Sequence, residues 1–90
     1  MSMKINERNK SESTSFKSSD FYLCCFLVAK GAVVIDIDKT NPRRSVFMFE
    51  DSPELQQDVE DFFNQRASIN PRTFASAIKD VKQQLYAELP

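Results

Sequence analysis

The sequence predicts a single α+β domain in which a two-stranded antiparallel hairpin packs on three helices, in the order α-β-β-α-α. Three observations lead to this prediction. Residues 21–29 form an unbroken apolar run between a helix start signal and a helix stop signal. Two segments with alternating apolar residues, 32–38 and 45–50, flank an Asn-Pro turn. Two prolines that follow capping side chains then open two amphipathic segments.

Length and composition limit the chain to one small domain that lacks the usual catalytic groups. It has 90 residues, 12 basic and 13 acidic side chains and a net charge of -1, which argues against bulk capture of nucleic acid or of an anionic membrane. The absence of His removes the commonest general base and metal ligand, and the single Gly excludes Gly-rich phosphate loops. We therefore expect a protein that is not an enzyme and that has no metal, cofactor or small-molecule substrate.

The N-terminal part of the chain is predicted to be a disordered leader over residues 1–17, followed by one folded domain over residues 18–90. Residues 1–15 (MSMKINERNKSESTS) are polar and show no apolar periodicity. Such a segment cannot offset the entropy cost of ordering by burying apolar surface. It also lacks the apolar core of a signal peptide, so a cytoplasmic location is expected.

The first helix is the apolar run FYLCCFLVA at residues 21–29. Ser18, Ser19 and Asp20 supply capping side chains before it, and Lys30 and Gly31 supply a cation and a flexible residue after it. A helix that is apolar on every side must be covered on every side. Either the chain wraps this helix completely, or a second copy shares it. The side expected to mediate self-association carries Phe21, Cys24, Cys25 and Val28.

The two adjacent cysteines are interpreted as packing residues. Neighbouring helical positions point about 100° apart, which makes a disulfide between Cys24 and Cys25 sterically awkward. Two apolar-flanked thiols without further cysteines are typical of a reducing compartment. As a helix the run rises only about 14 Å, well short of the ~30 Å needed to cross a bilayer, so no membrane association is expected.

The hairpin is predicted from alternation on both sides of the turn KTNPRR at residues 39–44. In the first strand, Val33, Ile35 and Ile37 alternate with Val34, Asp36 and Asp38. In the second, Phe47 and Phe49 share one face and Val46 and Met48 share the other. Two strands alone are marginally stable, so the three helices are expected to cover one face of the pair.

The second and third helices each begin with a capping residue followed by proline, Ser52-Pro53 and Asn70-Pro71. Glu54 lies in the first turn of the second helix, where its charge favours the helix dipole. The apolar stripe predicted for the second helix is Leu55, Val59, Phe62 and Phe63, and that for the third is Phe74, Ile78, Val81, Leu85 and Leu89.

From Ser19 onward the chain resembles a small uncharacterised bacterial family classed as a domain of unknown function. The shared pattern is made mainly of apolar and capping positions, so the resemblance implies a fold and assigns no activity. It also implies an occurrence in bacterial chromosomes and mobile elements. The matching positions are Asp20, Tyr22, Leu23, Phe26, Leu27, Lys30, Gly31, residues 47–51, residues 53–55, Val59, Phe62, Phe63, Asn64, Pro71, Phe74, Ala77, Lys79, Lys82 and Tyr86.

Two basic groups are the candidate nucleic-acid contacts. A hairpin with arginines at its tip can contact phosphates, and a helix with Lys and Tyr side chains can lie against a nucleic-acid backbone. The leading hypothesis is therefore a non-catalytic binding module that assists or regulates a nucleic-acid transaction. Ordinary solubilising charge explains the same residues. The candidates are Lys39, Arg43 and Arg44 at the tip and Arg72, Lys79 and Lys82 on the third helix.

An acidic segment at residues 50–61 supports the alternative hypothesis. It holds six carboxylates and no cation, so Glu54, Asp58 and Asp61 are candidates for binding a basic protein partner without nucleic acid. A solvated helix face explains them equally. Asp36, Asp38, Glu50 and Asp51 could converge to hold a divalent cation, but a solvated strand face and a helix cap account for all four. A third hypothesis is a small subunit whose role is homo-oligomerisation.

Overall fold

A computed structural model describes residues 15–41 and 43–86 of the chain. Within these ranges it contains three helices and one three-stranded sheet, so the α+β class is confirmed. None of the helices in these ranges combines the length and the apolar character needed to cross a membrane. In chain order the elements are β1 (Ser15–Ser18), α1 (Phe21–Ala29), β2 (Val34–Asp38), β3 (Val46–Glu50), α2 (Pro53–Phe63) and α3 (Pro71–Tyr86).

The sheet has a strand that the sequence did not predict. β3 lies in the centre, and β1 and β2 pair with it on either side, both antiparallel. Residues 15–17, assigned to the leader from sequence, therefore belong to a strand, while residues 1–14 of that leader lie outside the described residues. β1 offers only one apolar residue, Phe16, which pairs with Phe49 across the sheet. Four residues with one apolar side chain give no alternation, so only the partner strand identifies them.

α1 is the centre of the fold. Its residues 23–27 are all buried within the single chain. Asp20 caps the helix, with its Oδ1 accepting from the Leu23 N–H at 3.1 Å. At the other end Gly31 has φ +98°, and the N–H of Ala32 donates to the Leu27 carbonyl at 2.9 Å, which is the left-handed termination that favours glycine. The predicted cap and stop signals are both confirmed.

The inner face of the sheet contributes Phe47 and Phe49 to the core, as predicted. The alternation predicted for β2 was wrong, because a bulge interrupts it. Val34 pairs with Phe49 and Asp36 pairs with Met48, which leaves Ile35 as an extra residue on β2. Val34 and Ile37 consequently pack on the core, while Ile35 is 55% exposed.

α2 and α3 close the core around α1. Most residues of the apolar stripes predicted for these two helices are buried in the core or pack against it. Leu55 of α2 and Val81 of α3 are buried, and Val59, Phe62, Phe74, Ile78 and Leu85 pack against the core. Phe63 was predicted to point inward but is 62% exposed. It is the last residue of α2, where the apolar stripe of the helix ends. Leu89 lies outside the described residues.

Candidate functional site

A groove of about 590 Å³ lies at the tip of the β2–β3 hairpin. Its described walls come from four parts of the chain: loop residues 39, 41 and 43–45, the start of α1, the start of β3 and the end of α3. Among the described residues that line it, three are cations and none is a carboxylate, so the groove is locally positive although the chain is not. The side chains used in the argument below are Phe21, Lys39, Arg43, Arg44, Phe47 and Tyr86.

The loop that presents the arginines is shaped by its own short polar residues. The Asp38 carboxylate accepts from the Thr40 N–H at 2.9 Å and from the Thr40 hydroxyl at 2.6 Å. These bonds hold the pKa of Asp38 below its usual value of 3.8. The Asn41 side chain accepts from the Arg43 N–H at 2.9 Å, and the Asn41 carbonyl accepts from the Arg44 N–H at 3.0 Å. This turn places both guanidinium groups at the tip.

Lys39 joins the hairpin to the end of α3. Its Nζ donates to the carbonyl of Leu85 at 2.8 Å and to that of Gln84 at 3.3 Å. The last carbonyls of a helix carry partial negative charge and favour a cation there. Lys39, predicted from sequence as a nucleic-acid contact, thus has a structural role. It holds the helix end that carries Tyr86 next to the loop that carries the arginines.

Arg43 and Arg44 are both exposed at the tip. The Nε of Arg44 donates to the Ser19 hydroxyl at 2.9 Å, which links the loop to the start of α1. A guanidinium has five N–H donors in a planar fork, and this bond uses one of them. The arrangement steadies one arginine and leaves it suited to bind an anionic oxygen.

The cations predicted on α3 are divided by the fold. Lys82 and Lys79 precede Tyr86 by one and two helical turns, and the three share one side of α3 in an open depression. Tyr86 also lines the hairpin-tip groove, so it stands between the two surfaces. Arg72, in the first turn of α3, lies about 20 Å along the axis from Tyr86. Arg72 is not among the described residues that line either surface.

Tyr86 was noted from sequence as the aromatic residue near the α3 lysines, but it was not among the predicted site residues and was not placed at the hairpin tip. Its side chain is 61% exposed although it is a large aromatic group. The apolar spacing of α3 gave one signal, because Tyr86 lies outside the stripe formed by Val81 and Leu85. Its position next to the hairpin tip depends on long-range contacts and could not be predicted locally.

The acidic residues proposed for partner binding lie along α2. Glu54 is exposed, and Asp58 and Asp61 are half-buried. Asp61 accepts from the Gln57 side chain at 3.0 Å and forms an ion pair with Arg66 at 3.5 Å. Among the described residues, no group of three or more possible ligand side chains is placed to hold a metal ion.

The cysteines proposed for self-association have no exposed surface. Cys24 and Cys25 are both 0% exposed in the single chain, so they cannot form part of a contact surface without rearrangement. Burial raises the pKa of Cys24 to about 12 and that of Cys25 to about 11, the latter opposed by the nearby Lys82. Both thiols stay protonated at neutral pH, as packing residues do. Phe21 and Val28, the other proposed contacts, are half-buried.

The chain matches the model of a known protein family. The model of the family described as Domain of unknown function (DUF5659) matches residues 13–87. The chain belongs to this family, which confirms the resemblance to a small uncharacterised domain. Comparisons of this chain with curated proteins and with solved structures find no match.

Proposed function

We propose that this member of the DUF5659 family is a non-catalytic module that binds nucleic acid through the hairpin-tip groove. Its role would be accessory or regulatory, in the cytoplasm of a bacterium or in the service of a mobile element. The observation that supports this proposal is the convergence of Lys39, Arg43 and Arg44 on one groove whose described lining contains no carboxylate.

Phosphate is the anion that best fits the tip. Arginine presents a planar fork that matches phosphate oxygens and forms charge-assisted hydrogen bonds with them. The whole chain has a net charge of -1, so attraction has to be local, and the groove is where positive charge is concentrated. A module of this kind would bind with modest affinity and a marked dependence on salt.

The test is fluorescence anisotropy with labelled oligonucleotides of about 12 nucleotides at ~50 and ~200 mM salt. We expect binding that weakens steeply with salt. The double variant R43A/R44A should weaken binding about tenfold or more at the lower salt and should reduce the salt slope by about 1.5.

The matched control is R66A/R72A, which removes the same charge from exposed arginines outside the groove. It should change affinity by less than about threefold, because the two sites are remote from the bound phosphates. Equal effects of the two double variants would show that binding does not use the groove. No binding at ~100 μM protein and the lower salt would reject the function itself.

The alternative is a protein-binding adaptor that uses the acidic face of α2. Glu54, Asp58 and Asp61 follow one another at helical spacing, and the helix ends at Phe63, which is 62% exposed. Three carboxylates along one side of a helix are suited to a basic partner. A partner recovered from native extract by the wild-type chain should be lost with E54Q/D58N and retained with the matched D36N/D80N. If both variants still recover the partner, the adaptor hypothesis is contradicted.

Self-association is the remaining proposal, now through surfaces other than the buried thiols. Half-buried Phe21 and Val28 and exposed Tyr22 on α1 are the apolar side chains that a second copy could cover. Light scattering over a wide range of concentrations tests it, and a monomer at ~1 mM would exclude it.

A further inference from the structure

We infer that the hairpin-tip groove binds an unpaired nucleotide of a single strand, with the base stacked on Tyr86 and the phosphate held by Arg43 and Arg44. This inference rests on the proposed function and specifies which form of nucleic acid the site accepts. It joins two features of the groove, the cations of the loop and the exposed aromatic ring of α3.

Tyr86 has the properties of a stacking platform. Its ring lines the groove and is 61% exposed, while the core side of α3 is supplied by Ala77, Val81 and Leu85. The ring therefore adds little to the packing of the core. An exposed aromatic ring beside positive charge is the combination that single-strand-binding proteins use, because every base has a face that can stack.

The position of the ring relative to the arginines is fixed by the fold. Lys39 holds the last turn of α3 through the Gln84 and Leu85 carbonyls. Arg44 is held to Ser19 at the other wall. The candidate base contact and the candidate phosphate contacts thus line one groove, as the two parts of one nucleotide require.

The size and the lining of the groove favour an unpaired base over a duplex. Its volume of about 590 Å³ falls in the range of sites that enclose small molecules. Half-buried Phe21 adds apolar surface to the lining, which a base can cover and a phosphate cannot. In a duplex the faces of the bases are already stacked, so only the arginine contacts would remain available.

Lys82 and Lys79 continue the site along α3, in a depression whose described lining also includes one carboxylate, Asp80. They lie one and two turns before Tyr86 on the same side of the helix, so a strand leaving the groove past Tyr86 would meet two more cations for its next phosphates. Positive charge that follows a backbone on both sides of a stacking residue is a general feature of single-strand binding.

The experiment compares four ligands with the full chain: single-stranded DNA, single-stranded RNA of the same sequence, the blunt duplex, and a single strand of abasic sites. We expect both single strands to bind more tightly than the duplex and about 5- to 150-fold more tightly than the abasic strand, the value of one stacked base. Y86A should weaken single-strand binding by a similar factor, and Y86F should retain the wild-type affinity. The control F63A removes an equally exposed aromatic residue outside the groove and should have no effect.

A spectroscopic measurement identifies the ring directly. The chain has two Tyr and no Trp, so in Y22F the tyrosine fluorescence comes from Tyr86 alone. A stacked base should quench it, and the abasic strand should not.

Two outcomes would overturn the inference in different ways. If duplex and abasic strand bind as tightly as the single strands, and R43A/R44A still weakens binding, the groove binds only phosphates and the proposed function stands without the base contact. If none of the four ligands binds, the inference fails together with the proposed function.

Discussion

α1 and the hairpin-tip groove are the two most distinctive regions of this molecule, and they contrast in almost every property. Residues 23–27 of α1 are buried on all sides and carry no charge. The groove displays three cations and an exposed tyrosine. Phe21 is the residue of α1 that takes part in the groove. The difference shows that the buried part of α1 and the charged part of the groove use different side chains, so a substitution in one region can be designed to leave the other unchanged.

The contrast has a physical origin. No polar or charged side chain is buried within the described ranges, because burying a charge without a partner costs several kcal/mol. The small core around α1 therefore excludes the cations, which lie on the surface of the described structure. Any binding by this chain has to use what the core leaves outside.

The largest expected effect is on the α1 side of the comparison. Leu27 is 0% exposed, and L27A should reduce the free energy of unfolding by about 3–5 kcal/mol, because it leaves a cavity in a packed core. R43A, at the exposed tip, should change it by less than about 0.5 kcal/mol. Urea unfolding followed by circular dichroism measures both. A loss below ~1 kcal/mol for L27A would show that α1 is not enclosed.

A matched pair in β2 sharpens the comparison between inside and outside. Ile37 packs against the core, while Ile35 sits on the bulge and is 55% exposed. I37A should cost about 2 kcal/mol and I35A less than about 0.5 kcal/mol in the same unfolding measurement. Equal costs would mean that β2 keeps regular alternation, with both side chains on one face, and that the bulge is absent.

Lys39 connects the two regions, and its effect should be smaller. K39M keeps the aliphatic stem but removes the ammonium group from the Gln84 and Leu85 carbonyls. We expect a loss of about 0.5–1 kcal/mol at low salt, shrinking at ~1 M salt as the charge is screened. K79M, on the exposed side of the same helix, is the control and should be near neutral. A loss for K39M that does not change with salt would argue against the charge contact with the helix end.

The smallest expected effect concerns the pH dependence of the loop. The hydrogen bonds from Thr40 lower the pKa of Asp38 below 3.8, with a smaller contribution from Lys17. A carboxyl whose folded pKa lies below its unfolded value stabilises the fold above the unfolded pKa, and this contribution disappears as the pH falls through the folded pKa. The affected window is therefore below about pH 4.

T40A should move the pKa of Asp38 back towards 3.8, because the hydroxyl bond to the carboxylate is the largest cause of the shift. An NMR titration of the Asp38 side-chain carboxyl carbon measures this directly. T73A, an exposed threonine at the start of α3, should leave the titration unchanged. If T40A leaves it unchanged as well, the loop is not ordered by this bond in solution.

Local signals predicted most of the secondary structure. Asp20 and Gly31 bound α1, Ser52-Pro53 opens α2, and Asn70-Pro71 opens α3 in the structure. These signals work because a cap or a stop involves residues within one turn of each other. The same is true of the aromatic face of β3, where Phe47 and Phe49 alternate with Val46 and Met48 without interruption.

The two wrong predictions in the sheet concern pairing over long distances. β1 is a strand because Phe16 meets Phe49, and the β2 bulge exists because Asp36 pairs with Met48. The four residues of β1 and the five of β2 do not indicate which distant residues they will pair with. The candidate site was predicted in part for the same reason: the loop cations were identified from sequence, but their convergence with Tyr86 depends on how α3 lies against the hairpin.

The sequence by itself determined where helices begin and end and which side chains are too apolar to remain in water, because those properties act over a few bonds or within a single residue. Tertiary structure alone decided that one chain buries residues 23–27 of α1, that the sheet has a third strand, and that Tyr86 lines one groove with two arginines of the hairpin tip. Such placements follow from the simultaneous packing of segments far apart in the chain, since the free energy of burial rewards contact without specifying which distant residue provides it.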